Sequence, residues 1–148
     1  MGSTFLSLHF HIVFSTKERR PLIAPEWRGR LHEYLGGIVR RLGGVPEAIG
    51  RVADHVHLLV GLKAPHTLAD FVRELKKAAT NWVQEHKLEP MFSWQEGYAA
   101  FTVSPNARGG VKGYIARQEE HHRQRSYLEE LRELLDKAEI EVDPRYLE

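Results

Sequence analysis

The residues of this sequence whose types and spacing could do chemistry are two histidine pairs and a tyrosine–glutamine pair. His55 and His57 lie in the run DHVHLLV, and His9 and His11 lie in HFH near the start of the chain. Residues i and i+2 of a β-strand share one face, about 7 Å apart along the strand. Two imidazoles placed in this way can converge on one metal ion. Spacing alone does not choose between the two pairs.

A third metal ligand has to come from elsewhere, and the segment GYIARQEEHHR offers candidates. On a helix, Tyr114 and Gln118 are four residues apart and share a face, with His121 or His122 one turn further on. Two imidazoles and an amide oxygen leave positions on an octahedral ion for substrate oxygens. Such an ion is a Lewis acid for a phosphodiester, which Tyr114 could attack. An exposed helix with a packed tyrosine explains the spacing at least as well.

Alternating apolar residues predict the strands that must position these side chains. Strands are predicted at 5–16, 45–53, 55–62 and 97–104, and the short gap before the third indicates a hairpin. In this hairpin Asp54 either orients a neighbouring histidine or serves the turn. The third strand points its histidines to one face and its apolar anchors to the other, namely Val56, Leu58 and Val60.

Helices are predicted between and after the strands, at 25–41, 68–86, about 111–123 and about 126–138. Thr67 is the expected N-cap of the second helix, and the stretch 104–110 is rich in turn residues. The order βαββαβ followed by two C-terminal helices indicates a ferredoxin-like α/β sandwich with an antiparallel sheet. We expect the strand order 4-1-3-2, helices on one face, and the other face open with both histidine pairs on its central strands.

Composition is consistent with one domain over residues 1–148, with its core at about 4–104. The chain is 42% hydrophobic and 28% charged, values typical of a globular protein. It has no cysteine, which excludes disulfides and thiolate zinc sites. No apolar run approaches the roughly 20 residues of a membrane span, and no basic region precedes the first apolar residues. We therefore expect a cytoplasmic protein that does not enter a membrane.

The net charge of +1 is unevenly distributed. Residues 1–118 carry 16 Lys and Arg against 10 Asp and Glu, whereas residues 119–148 carry 5 against 10. A basic body can attract a polyanion, and an acidic end reads as a solvated or regulatory helix. The residues expected to contact phosphates are Lys17, Arg19, Arg20, Arg73, Lys76 and Lys77. Solvated helix faces explain the last three equally well.

Five ordered blocks then carry a resemblance: HIVFSTKERRPLI, DHVHLLV, FSWQEGYAAFTVS, YIARQEEHHR and DPRYL. In this order they resemble the IS200/IS605-like transposases, the single-tyrosine, HUH-type enzymes that include transposases associated with repetitive extragenic palindromes. The resemblance covers nearly the whole chain.

The resemblance implies a metal-dependent endonuclease and strand transferase that acts on single-stranded DNA, often recognised through a hairpin. The metal ligands would be His55, His57 and Gln118, with Mg²⁺ or Mn²⁺ as the ion. Tyr114 would form a 5′-phosphotyrosine and free a 3′-hydroxyl without ATP. Family members are typically homodimers in which one chain can complete the site of the other. Roles around the ion or the substrate remain for His9, His11, Asp54, His121 and His122.

Two other functions compete with this one. A catalytically silent DNA-binding protein or regulator would share the fold, but it has no chemical need to keep Tyr114 and Gln118 together with both histidines. An RNA-binding module with an RRM-like sheet needs exposed aromatic residues on its central strands. The open face of the first strand would offer Ser7, His9 and His11 instead.

Overall fold

The computed structural model describes residues 2–121, 125–143 and 145. In chain order the strands are β1 His9–Ser15, β2 Val45–Arg51, β3 His55–Gly61 and β4 Ala99–Thr102. The helices are α1 Pro25–Arg41, α2 Leu68–Glu85, α3 Arg108–Ala116, α4 Gln118–His121 and α5 Tyr127–Lys137. Short 3₁₀ turns occupy Lys17–Arg19 and Pro105–Ala107.

The four strands form one antiparallel sheet in the order β2-β3-β1-β4, which confirms the predicted ferredoxin-like topology. β1 and β3 are the central neighbours. Their register pairs Val13 with His57 and Ser15 with His55, so these four side chains share a face. β4 spans four residues, half the length predicted.

The helices α1 and α2 cover one face of the sheet and bury the main core. α1 begins with Pro25, whose fixed φ suits the first helical position, and α2 begins after Thr67, whose hydroxyl accepts a hydrogen bond from the Asp70 backbone. Each fully buried Leu or Ile contributes about 1.5–3 kcal/mol of transfer free energy. The core includes Ile12, Phe14, Leu31, Leu35, Ile38, Val56, Leu58, Val60, Leu75 and Ala79.

The prediction that the second face is open is wrong. α3 and α5 cover it, and Leu59 and Ile115 pack there in a second apolar cluster. The cause lies in the C-terminal helices, which are themselves amphipathic and bury residues such as Ile115, Tyr127 and Leu135. As a consequence both histidines of β3 have no exposed surface.

The helix predicted at about 111–123 differs from the structure at both ends. α3 already begins at Arg108, inside the stretch expected to be a turn, and it ends at Ala116. The Tyr114 carbonyl accepts hydrogen bonds from the Arg117 backbone and the Gln118 side chain, a tight turn that interrupts the helix. The last helix agrees with its prediction and begins at a capping box formed by Ser126 and Glu129. In the described part of the chain no helix is both long and apolar enough to cross a membrane.

Candidate active site

His55 and His57 lie side by side beneath α5, on the face of β3 opposite its apolar anchors. Their ring centroids are 5.2 Å apart and both side chains are fully buried. The alternation of the strand therefore separates the two imidazoles from the main core, as the sequence pattern predicts.

Glu130 of α5 joins the two histidines, and sequence reasoning missed it. Its Oε1 is 2.9 Å from His57 Nε2 and 3.4 Å from His55 Nε2. One potential ligand atom from each of these three residues lies within 4.8 Å of the others. Two imidazole nitrogens and a carboxylate oxygen form a donor set that suits a divalent transition metal such as Mn²⁺.

A signal for Glu130 does exist in the sequence. In YLEELRELLDK it lies three residues after Tyr127, so it falls on the buried side of an otherwise amphipathic helix. A carboxylate that is 1% exposed is rare unless it is paired. Its histidine partner is 73 positions away, however, so no local pattern reveals the pairing.

Tyr114 of α3 contacts the same group through Glu130. Its hydroxyl donates a hydrogen bond to Glu130 Oε2, the carboxylate oxygen that does not face His57. Burial, followed by the hydrogen bond to Glu130 and the charge of that carboxylate, raises the pKa of the Tyr114 phenol. The phenol therefore stays protonated at neutral pH and needs a proton acceptor before it can act as a nucleophile.

Gly50 of β2 allows α3 to approach the sheet closely enough for this contact. A Cβ at this position would lie 2.5 Å from the Ile115 carbonyl oxygen and 2.9 Å from Gln118 Cγ. Gln118 is 2% exposed, and its side chain hydrogen-bonds the Tyr114 phenol, an interaction that lowers the phenol pKa. The structure thus brings Gln118 beside Tyr114.

Each histidine of β3 has a second partner on its Nδ1. Asp54 Oδ1 lies 2.7 Å from His55 Nδ1, and His11 Nε2 lies 2.7 Å from His57 Nδ1. Burial opposes the charged form of His55, but the hydrogen bonds to Asp54 and Glu130 outweigh it and raise its pKa. Burial and then the neighbouring His57 lower the pKa of His11 to about 3. His11 is therefore neutral at physiological pH.

His9, the other member of the HFH pair, lies away from this group. Its Nδ1 is 2.9 Å from Glu47 Oε2, and Glu47 also forms an ion pair with Arg108 at the start of α3. Burial and the charge of Arg108 lower the pKa of His9. These contacts tie the first turn of α3 to β2, so His9 fits a structural role.

The basic residues after β1 lie at the His55 end of the site. Lys17 and Arg20 are exposed. Burial and then the charges of Glu130 and Asp54 raise the pKa of the Tyr127 phenol, and the nearby charge of Arg19 partly offsets this rise. Tyr127 in turn packs on His55, with ring centroids 4.7 Å apart. This loop therefore offers cations next to the candidate site.

The basic residues of α2 lie on the opposite layer of the sheet. Arg73 pairs with Asp70 at 2.9 Å, and Lys77 is exposed. Lys76 Nζ donates to the backbone carbonyls of residues 95–97 at 2.9, 3.4 and 2.6 Å. Burial lowers the pKa of Lys76 from 10.5 to about 8. Lys76 fits a structural role better than a phosphate contact. Of the two other candidates, His122 and the side chain of His121 lie outside the described residues.

The fold is an antiparallel α/β sandwich that brings two histidines, a glutamate and a tyrosine into one group. The family model described as IS200-like transposase matches residues 4–118. The chain therefore belongs to the IS200-like transposase family, whose members are DNA-processing enzymes of DNA transposition.

Individual relatives agree with this assignment. The chain is 28% identical over 117 residues to the ISDra2 transposase TnpA of Deinococcus radiodurans, covering 75% of this chain and 84% of that protein. A crystal structure assigned as a transposase from D. radiodurans R1 superposes with a TM-score of 0.63 at 26% identity, over 80% of this chain and 96% of the other. A REP-associated tyrosine transposase bound to a REP hairpin shares the fold, with a TM-score of 0.62 at 14% identity over 82% and 73% of the two chains.

Proposed function

We propose that this protein is a metal-dependent endonuclease and strand transferase for single-stranded DNA, with Tyr114 as its nucleophile. One observation carries the proposal: Glu130 joins the Tyr114 hydroxyl to the Nε2 atoms of His55 and His57 in a single buried group. Tyr114 Oη would bond to a backbone phosphorus while the bond from that phosphorus to the 3′-oxygen breaks. The products are a 5′-phosphotyrosine and a 3′-hydroxyl, and the reverse attack by a 3′-hydroxyl rejoins DNA without ATP.

The residues present fit a divalent ion. We propose that His55, His57 and Glu130 Oε1 hold it, and Gln118 remains a candidate ligand because its amide lies beside Tyr114. When bound, Mg²⁺ or Mn²⁺ would supply Lewis-acid polarisation of the phosphoryl oxygens. Two imidazole donors favour Mn²⁺, since Mg²⁺ prefers oxygen ligands and retained waters.

The two oxygens of Glu130 allow one carboxylate to serve two roles. Oε2 already accepts the hydrogen bond of the Tyr114 hydroxyl, so it is placed to take the phenol proton as the nucleophile attacks. That proton is then available to the departing 3′-oxygen. The hydrogen bond of the Gln118 side chain to the phenol lowers its pKa and partly offsets the effects of burial and of Glu130.

We propose single-stranded DNA with a hairpin as the substrate, because a related fold is that of a transposase bound to a REP hairpin. Tyr114 is the partly exposed member of the group, so the scissile phosphate would approach from its side. Lys17, Arg19 and Arg20 lie near the other end and would hold the backbone phosphates of the strand. Since the substrate is the cell's own DNA, we expect the protein to act in the cytoplasm.

We also propose a homodimer. The resemblance implies that one chain can complete the site of the other, but we propose that each site is formed within one chain. Tyr114 contacts Glu130, and through it His57, within one chain. The ion pair of Arg108 with Glu47 and the close approach at Gly50 hold α3 against its own sheet. Each site of the dimer would then be built from a single chain.

A catalytically silent DNA-binding protein or regulator remains the second candidate. The observation that favours it is the complete burial of His55 and His57, which leaves their ring nitrogens remote from solvent. The RNA-binding alternative is disfavoured, because α3 and α5 cover the sheet face that an RNA strand would need.

The test is a covalent adduct assay. The protein is incubated with labelled hairpin-bearing single strands and Mn²⁺ or Mg²⁺, then run on a denaturing gel beside an unpaired strand of equal length. We expect a metal-dependent adduct that is lost on chelation and in Tyr114→Phe. Binding of the hairpin without any adduct, across strands that vary the flanking sequence, would support the silent regulator instead.

A further inference from the structure

The contact between His11 and His57 joins two imidazoles rather than an imidazole and a carboxylate. The rings stack with centroids 5.0 Å apart and 27° between their planes, and His11 Nε2 lies 2.7 Å from His57 Nδ1. Both residues are at least 95% buried. A neutral imidazole has one N–H donor and one bare nitrogen, so one ring must donate and the other must accept.

The position of the proton on His57 depends on what its Nε2 faces. Nε2 lies 2.9 Å from Glu130 Oε1, which is an acceptor, so a neutral His57 carries its proton on Nε2 and leaves Nδ1 bare. His11 must then donate from its Nε2. A His57 that binds a metal ion through Nε2 needs that nitrogen bare, so the His57 proton must sit on Nδ1 and His11 must accept it.

An aspartate could not serve both arrangements. Asp54 beside His55 is an acceptor when ionised, so it permits only one tautomer of that ring. An imidazole can donate or accept, provided that its second nitrogen takes the displaced proton. His11 is 5% exposed and lines a groove of about 550 Å³ between β4 and α5, whereas His57 has no exposed surface, so His11 is the member of the pair that borders solvent.

We propose that His11 is the positioning residue that lets His57 exchange its Glu130 hydrogen bond for a metal ion. When an ion binds, the His57 proton moves from Nε2 to Nδ1, and the His11 proton moves from Nε2 to Nδ1 by exchange with water. Each ring keeps one proton, so this pair neither gains nor loses charge. The inference rests on the proposed function only in requiring an ion at His57.

Long-range ¹H–¹⁵N correlation spectra of protein labelled with ¹⁵N-histidine report the protonated nitrogen of each ring. Zn²⁺ serves as the probe ion because it is diamagnetic and binds imidazole. Without metal we expect Nε2–H on both His57 and His11. With Zn²⁺ we expect Nδ1–H on both rings. A His11 tautomer that does not change when Zn²⁺ binds His57 would overturn the proposal, and so would the absence of Zn²⁺ binding.

Variants separate this role from a structural one. We expect His11→Leu to weaken Mn²⁺ binding 10–100-fold, the range found for loss of a partner behind a metal ligand, because His57 Nδ1–H is then buried without an acceptor. His11→Gln keeps a group that can donate or accept, so its affinity should return to within a few-fold of the wild type. His9→Leu is the matched control on the same strand and should bind Mn²⁺ normally, since His9 contacts Glu47 instead.

Manganese affinity is measured by electron paramagnetic resonance, with thermal unfolding as the check on folding. Unchanged Mn²⁺ affinity in folded His11→Leu would overturn the proposal. If His11→Leu does not fold, His11→Phe takes its place as the variant without a hydrogen-bonding group. Weakened Mn²⁺ binding in folded His11→Phe, together with His57 Nδ1–H and near-wild-type affinity in His11→Gln, supports the role, and unchanged affinity in His11→Phe overturns it. None of these measurements uses DNA, so failure of the adduct assay and failure of this inference are distinguishable.

Discussion

At the residue scale, Glu130 connects the parts of the site. Its Oε1 faces the Nε2 atoms of His55 and His57, while its Oε2 accepts the Tyr114 hydroxyl. A change to a buried carboxylate with three partners is costly, because the polar groups arranged around it then lose their charged hydrogen-bond acceptor. Both metal binding and nucleophile activation should therefore respond to a change at this one side chain.

Glu130→Gln removes the charge and keeps the shape. We expect Mn²⁺ affinity to fall at least 10-fold, because an amide oxygen is a weaker ligand than a carboxylate. Adduct formation should fall further, since the phenol loses its proton acceptor. Asp136→Asn is the control, as it makes the same charge change on the exposed side of α5. Equal Mn²⁺ affinity in Glu130→Gln and the wild type would exclude Glu130 as a ligand.

The sequence alone predicts some of these residues and not others, for physical reasons. The alternation in DHVHLLV is enough to place His55 and His57 on one face, because strand geometry is local. The difference between His9 and His11 is not local: only the register of β1 on β3 brings His11 beside His57. Glu130 reaches the site through packing of a helix 73 positions away, which periodicity cannot reveal.

At the element scale, the placement of α3 depends on one glycine and one ion pair. A Cβ at Gly50 would collide with the Ile115 carbonyl oxygen at 2.5 Å, and that atom is backbone and cannot rotate away. The helix boundaries show the same dependence on context: turn residues in RGG predict a break, yet α3 begins at Arg108, whose guanidinium pairs with Glu47. Tertiary contacts outweigh local propensity here.

Gly50→Ala should displace α3 from the sheet and carry Tyr114 away from Glu130. We expect a loss of stability of about 1–3 kcal/mol, as for overpacked sites, and a larger loss of adduct formation. Gly37→Ala in α1 is the matched control, because its added methyl meets nothing within 4 Å and an alanine favours a helix. Chemical denaturation and the adduct gel measure the two effects. Full activity in Gly50→Ala would contradict the proposed dependence of Tyr114 on this contact.

A second prediction at this scale concerns Lys76, which links α2 to the carbonyls of residues 95–97. Lys76→Met should cost about 1 kcal/mol at pH 7 because those carbonyls lose a charged donor. The folded-state pKa of about 8 lies below 10.5, so between these values the unfolded chain holds a proton that folded Lys76 has released. Rising pH therefore favours the folded wild type, and its advantage over Lys76→Met should grow from pH 8 to 10.

Urea unfolding at several pH values measures that difference in the free energy of unfolding. Lys77→Ala, an exposed neighbour on the same helix, should change stability little. If instead Lys76→Met unfolds normally but binds DNA with a shallower salt dependence, Lys76 is a phosphate contact.

At the scale of the whole molecule, the parts of the site come from distant regions of one chain. β3 supplies the histidines, α3 supplies Tyr114, and α5 supplies Glu130 from the acidic end of the sequence. The fold class and strand order follow from the sequence because the pattern of strands and helices is regular. The sequence does not predict that α3 and α5 cover the second face of the sheet, since two amphipathic helices can pack on their own sheet or on another chain.

Mixing two inactive variants tests whether each site is built from one chain. Tyr114→Phe keeps the histidines and His57→Ala keeps the tyrosine. If the sites form within one chain, we expect no adduct from the mixture after co-refolding. Recovery of a substantial fraction of wild-type activity would show that the tyrosine helix of one chain completes the site of another.

Mapping the covalent link itself identifies the nucleophile directly. Wild-type protein is reacted with a cleavable single-stranded hairpin and Mn²⁺, digested with protease and nuclease, and analysed by mass spectrometry. We predict that the peptide containing Tyr114 carries the nucleotide mass through a 5′-phosphotyrosine, and that Tyr114→Phe yields none. A nucleotide on a different tyrosine, or an adduct that persists in Tyr114→Phe, would contradict the role of Tyr114 as the nucleophile.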